Sequence, residues 1–281
     1  MRRSLFYVLV LSLALFSSVS QGKALRVVAS IQPLALLAAD IGGDAIEVEL
    51  LQAPGQSPHD FQLRPSDMKR LAAADLVLWF GPALEHHLER PLRRFSDARA
   101  LYPDVEPGGV DPHFWLDVAE VVSVTRQITL LLSDRLPLRS AYFHANAARF
   151  VSELQAYDRE LAASLARSQS VRHLFLHDGF SRLEKRYGLP RGEVVVSAED
   201  QMPGARHLVE LRKRLQAGEF SCVFREPQYS RSLLNALTRD VSVVVLELDP
   251  LGSDVRKADG FMGLYRQLGS TLQRCFTPIV G

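Results

Sequence analysis

Short β-branched runs alternate with longer stretches of helical spacing along this chain, and the alternation occurs twice. In the first half, residues 25–30 and 46–52 read as strands around a helical segment at 34–41. A helix is predicted over 66–74, followed by the apolar run DLVLWFG at 75–81, which reads as a buried strand. Helical spacing resumes over 84–95 and 119–132. In the second half, strands are predicted at 172–177, 193–197, 221–225 and 241–248, and helices at 180–187, 204–217, 229–238 and 262–275. Alternation of this kind builds parallel sheets covered by helices.

Between the halves, residues 139–167 contain neither glycine nor proline and are rich in good helix formers. Phe143, Ala147, Phe150, Leu154, Tyr157, Leu161 and Leu165 recur at steps of three or four, which marks one helical face. About 28 residues of helix reach roughly 40 Å. The expectation is an α/β protein of two lobes, each a parallel sheet flanked by helices, joined by one long rigid helix. Its boundaries are a leader at 1–24, an N-terminal lobe at 25–136, the linker helix at 137–169 and a C-terminal lobe at 170–281.

The leader follows from the first residues. Arg2 and Arg3 precede the apolar stretch 5–16 and then small residues, the pattern of a cleaved secretory signal peptide. The apolar run falls short of the roughly 20 residues that a membrane span needs. The expected location is therefore the periplasm. The composition, 47% hydrophobic and 23% charged, is that of an ordinary globular protein. The net charge of +1 becomes about −1 without Arg2 and Arg3, which gives no electrostatic case for nucleic acid. In an exported chain, Cys222 and Cys275 suit a disulfide better than a metal pair, with two buried thiols as the alternative.

Three segments place a histidine in a loop after a predicted strand: APGQSPHD with His59, DPHFW with His113 and LFLHD with His177. A fourth, LELDPLG, places Asp249 at a strand end. Ligands of open α/β sheets collect at the carboxyl ends of strands, so these side chains can meet in a cleft between lobes. Three imidazoles and a carboxylate suit zinc. The spacing is wide, and neither HExxH nor CxxC occurs, so the histidines do not identify themselves. His86 and His87 read as a solvated helix face rather than a second metal site. His144, His173 and His207 read as structural or surface residues, and Trp115 as core. Asp60 and Asp178 either orient the neighbouring histidine or cap the helix that follows, and Glu226 either supports the site or braces its loop.

Several phrases, in order, resemble the metal-specific solute-binding proteins of ABC importers, most closely the zinc-uptake branch. They are SPHDFQLRPSDMKRLAAADLVLWFGPALE at 57–85, HFWLD at 113–117, FLHDGFSRLEKRYGL at 175–189, CVFREPQYS at 222–230 and LDPLG at 248–252. The resemblance spans nearly the whole chain after the leader. It implies that His59, His113 and His177 bind Zn2+, that Asp249 or a water completes the site, and that Cys222 and Cys275 are joined. It also implies a monomer that captures zinc and delivers it to a membrane permease, without catalysis. A histidine at 177, where manganese-binding relatives carry a glutamate, points to zinc, since manganese prefers oxygen donors. Two features depart from the family pattern: residues 101–111 carry no histidine-rich loop, and Pro58 stands where some members have a glutamate. Manganese or iron uptake on the same fold, a zinc hydrolase and an adhesin-like relative are the competing readings.

Overall fold

The structure, a computed structural model, describes residues 23–277 apart from 54, 60, 106–109, 167–170 and 197–202. Nearly all of the expected leader, and Asp60, lie outside the described residues. Strand β1 (Leu25–Ala29) shows why the apolar runs become strands covered on both faces. Val27 and Ala29 belong to one apolar cluster and Val28 to another, so alternate residues feed opposite faces. Chain order then runs α1 (Gln32–Gly42), β2 (Ile46–Leu50), α2 (Pro65–Ala72), β3 (Leu76–Trp79), α3 (Pro82–Leu92), β4 (Ala98–Ala100) and α4 (Val118–Arg135). Helix α5 (Ser140–Leu165) follows. The second half comprises β5 (His173–His177), α6 (Ser181–Tyr187), β6 (Glu193–Val196), α7 (Ala205–Gln216), β7 (Cys222–Arg225), α8 (Arg231–Thr238), β8 (Val244–Glu247) and α9 (Gly260–Phe276).

The two sheets are parallel and have matching orders, β2-β1-β3-β4 and β6-β5-β7-β8. Every strand predicted from the sequence is present. Strand β4 was not predicted, because its three residues (ARA) at a sheet edge carry no apolar run. Helix α4 starts where Asp117 accepts a hydrogen bond from Ala119 N (2.8 Å), a side-chain cap for the first turn.

Helix α5 is more than a strut. Its buried face carries Phe143, Phe150, Leu154, Leu161 and Leu165, and also Asn146 and Asp158, which no apolar pattern marks. Asn146 donates to Ile41 O (3.0 Å), which ties α5 to α1. Asp158 accepts from Tyr187 Oη (3.1 Å) and pairs with Arg186, and Tyr187 Oη lies 2.9 Å from Tyr265 Oη. This polar knot joins α5 to α6 and α9. Helix α9 also packs directly on α1, and one apolar cluster runs from Val27 through α5 to Phe224 and Phe276. The lobes therefore share a core, and swinging them apart would expose apolar area at about 25 cal/mol per Å2. Among the described residues no helix is long and apolar enough to cross a membrane.

Cys222 on β7 and Cys275 on α9 form a disulfide, which fastens the second sheet to the helix that contacts both lobes. It closes a loop of 53 residues, a constraint of about 4 kcal/mol in the chain-entropy picture.

Candidate metal centre

The crevice at the carboxyl ends of the two sheets gathers the three predicted histidines. His177 is the last residue of β5, and strand alternation aims it with Phe175 toward the shared core. His113 precedes a short 3-10 turn, Phe114–Leu116, and His59 stands in the loop between β2 and α2. All three are buried. His113 Nε2 lies 3.4 Å from both His59 Nε2 and His177 Nε2. The ligand-capable atoms of the three residues all lie within 4.8 Å of one another.

Two carboxylates decide which ring nitrogen faces the centre. His113 Nδ1 donates to Asp111 Oδ1 (2.7 Å), and the same oxygen accepts from His113 N (3.0 Å). His177 Nδ1 lies 2.5 Å from Glu226 Oε2, and Glu226 Oε1 accepts from His177 N (3.3 Å). With protons on Nδ1, both Nε2 atoms present lone pairs to each other. Such an arrangement is repulsive without a cation between them. A tetrahedral ion with nitrogen donors at roughly 2.0–2.1 Å sets those donors roughly 3.4 Å apart, so the spacing fits zinc.

Electrostatics favour the same state. Burial pushes the pKa of His113 down to about 4, with His177 and His59 adding to the fall and Asp111 opposing it. The imidazole is therefore neutral and ready to bind a metal at neutral pH. Asp111 is held well below the usual carboxylate range by its bonds to His113 and Ser181, which outweigh its burial. Burial raises Glu226, while His177 pulls the other way.

Asp111 also ties the lobes together beside the site. It accepts from Ser181 Oγ of α6, and its backbone carbonyl accepts from Arg182 Nε (2.8 Å). Trp115, read as core from the sequence, is fully buried, and its indole also donates to Pro250 O (2.7 Å) across the crevice. Tyr229 stacks on the His177 ring at 5.2 Å between centroids.

The other sequence candidates fall as follows. Asp249 is buried at the end of the crevice but stands outside the histidine group. Its Oδ1 accepts from Leu251 N (3.0 Å) and Gln228 Nε2 (2.8 Å), and its Oδ2 from Ser253 N (2.5 Å). Asp178 pairs with Arg191 and does not cap the helix that follows. His86 is exposed, but His87 departs from the expected solvated face. It packs on Phe61, among the described residues neither of its buried ring nitrogens has a hydrogen-bond partner, and burial lowers its pKa to about 4. His173 is buried among Phe175, Phe224 and Phe276, whereas His144 and His207 bond backbone carbonyls at the surface. Sequence reasoning missed Asp111 and Gln228. Asp111 had a usable signal, an aspartate two residues before a histidine across a proline; Gln228 had none.

Residues 27–275 match the model of the zinc-uptake complex component A, periplasmic, family. The chain belongs to this zinc-uptake family. A high-affinity zinc uptake system protein ZnuA of Yersinia pestis is 30% identical over 292 residues, covering 89% of this chain and 90% of the relative. The fold is that of a ZnuA crystal structure, with a TM-score of 0.77 at 23% identity over 90% of this chain and 98% of the other. It is also that of Streptococcus pneumoniae AdcAII, with a TM-score of 0.78 at 22% identity over 90% and 99% of the two chains. Zinc-uptake family membership and the histidine geometry thus point to the same cargo.

Proposed function

We propose that this protein captures zinc in the periplasm with His59, His113 and His177 and delivers it to the permease of an ABC importer. The observation that carries this reading is the pair of 3.4 Å Nε2–Nε2 separations, with Nδ1 of His113 and of His177 each committed to a carboxylate. Zinc is the cargo here. The imidazoles bind it unprotonated, and Asp111 and Glu226 hold two of the rings in the tautomer that binding requires.

Three points complete the reading. The leader is cleaved on export, and the mature chain works as a monomer. The four bodies of the chain are the leader, the two lobes and the linking helix, at the boundaries given above. Binding shifts loops or tilts the lobes slightly, because a shared core opposes wide closure. The reading is capture without turnover: the cavity over the histidines has a volume of about 20 Å3, far below the roughly 300–1,000 Å3 of organic-ligand pockets.

Isothermal titration of chelator-stripped protein with zinc tests the proposal, beside His59→Ala, His113→Ala and His177→Ala. One tight site, weakened by each substitution and not matched by manganese, is the expected result. No tight site, or one indifferent to all three changes, would overturn it.

A further inference from the structure

Gln228 lines the cavity over the histidines, together with Glu226 and Tyr229 of the same loop. The orientation of its amide is decided by Asp249. That carboxylate already accepts from the backbone at Leu251 and Ser253, so it acts as an acceptor on both oxygens. Only the amide nitrogen of Gln228 can face it, as a donor at 2.8 Å, and Ser253 Oγ lies 3.5 Å from the same nitrogen. The carbonyl oxygen is thereby turned away from Asp249. Among the described residues Oε1 of Gln228 is buried and has no hydrogen-bond partner. A buried acceptor left unpaired costs about 1–3 kcal/mol, and such an atom beside a metal cavity calls for a solvent molecule or an ion.

We propose that Gln228 holds a water molecule as the fourth ligand of the bound zinc, and that Asp249 acts by fixing the Gln228 amide. This inference rests on the three-histidine reading above. Tetrahedral zinc with three imidazoles leaves one position open. A water there donates one proton to Gln228 Oε1, which satisfies the unpaired acceptor. Asp249 already accepts from two backbone donors and the Gln228 amide, which hold its carboxylate outside the histidine group. Gln228 is a positioning residue in this account, and Asp249 supports it.

Chelator competition with the full mature chain tests this, using Gln228→Met, Asp249→Asn and the double variant, with melting of each metal-free form as the control for folding. Methionine keeps the length and removes the acceptor. The expected result is zinc affinity lower by about 10–100-fold in Gln228→Met at unchanged melting temperature, the range for loss of an outer partner. The double variant is expected to bind no more weakly than Gln228→Met alone, because Asp249 acts through Gln228. The visible spectrum of the cobalt(II)-loaded protein is expected to change in Gln228→Met, since its fourth ligand is no longer held. Unaltered affinity in Gln228→Met would overturn the inference. So would multiplying effects in the double variant, the signature of Asp249 as a direct ligand. Either result, with His177→Ala still abolishing tight binding, would leave the capture role intact. Absence of a tight site in the unsubstituted chain would instead remove the reading on which the inference rests.

Discussion

The two sheets share one strand order, and each places a buried glutamate beyond its third strand in chain order, but the two glutamates meet different neighbours. In the C-terminal lobe, Glu226 follows β7 and faces His177 at the end of β5. In the N-terminal lobe, Glu85 follows β3 and lies beside Ser30 at the end of β1. Glu85 Oε2 accepts from Phe80 N (2.7 Å), and burial lifts its pKa to about 7. Glu226 has an imidazole N–H to receive; among the described residues Glu85 has the Ser30 hydroxyl and backbone donors and no cation. One topology therefore orients an imidazole in one lobe and leaves a carboxylic acid, largely neutral near pH 6, in the other. The N-terminal lobe supplies its candidate metal ligands from loops instead, through His59 and His113. A strand end positions a ligand by the sheet itself, while a loop ligand needs a local partner such as Asp111.

The largest expected effect would break this contrast at the level of the whole site. Imidazoles bind zinc unprotonated and ordinarily titrate near pH 6.5, so zinc affinity is expected to fall steeply as pH drops below about 6. His113 stays neutral down to about pH 4, so fewer than three protons compete with the metal. Titration at pH 7.5 and pH 5 checks this; unchanged affinity would exclude a three-histidine site.

The disulfide separates the lobes next, because only the C-terminal sheet is stapled. Cys222→Ser with Cys275→Ser is expected to lower stability by about 4 kcal/mol in the chain-entropy picture. Hydrogen exchange is expected to show β5–β8 losing protection before β1–β3. Uniform loss across both sheets would mean that the shared core, and not the staple, sets the stability of the C-terminal lobe.

Glu85 offers a somewhat smaller effect with a definite sign. Its folded pKa of about 7 lies above the ordinary glutamate value of 4.5, so the folded state holds the proton more tightly than the unfolded chain. Stability from this group is complete below about pH 4.5 and is lost as pH rises through about 7. Glu85→Gln is therefore expected to be neutral at pH 4.5 and stabilising by up to about 3 kcal/mol at pH 8. Chemical denaturation at the two pH values measures it, and a gain at the lower pH alone would refute the assignment.

The smallest effect compares the two carboxylates that orient histidines. Glu226→Gln and Asp111→Asn are each expected to weaken zinc binding by about 10–100-fold. Glu226 is fully buried and Asp111 is partly open to solvent, so the Glu226 variant is expected to lose more. The reverse order would place the inter-lobe contacts of Asp111 with Ser181 and Arg182 above burial in importance.

Much of the fold was legible because its signals are local. Strands buried on both faces read as apolar runs, as at 75–81, and the linking helix announced itself through a face repeated from Phe143 to Leu165. Strand β4 escaped because edge pairing needs no apolar side chains. Asn146 and Asp158 escaped because a polar residue on a buried face has meaning only through its partners, Ile41 O and Tyr187. The histidines were visible as residues after strands, but wide spacing left them scattered, and only the fold brings their Nε2 atoms together.

The sequence alone determined the alternation of strands and helices, the long connecting helix, the three histidines and the motifs that mark the zinc-uptake family. Those are properties of composition, period and order along one dimension. The tertiary structure alone decided that the lobes share a core, that Asp111 and Glu226 choose the ring nitrogen facing the centre, and that Asp249 turns toward Gln228 and two backbone donors. Each of these depends on groups brought within about 3 Å from distant parts of the chain, where hydrogen-bond direction and burial set the outcome.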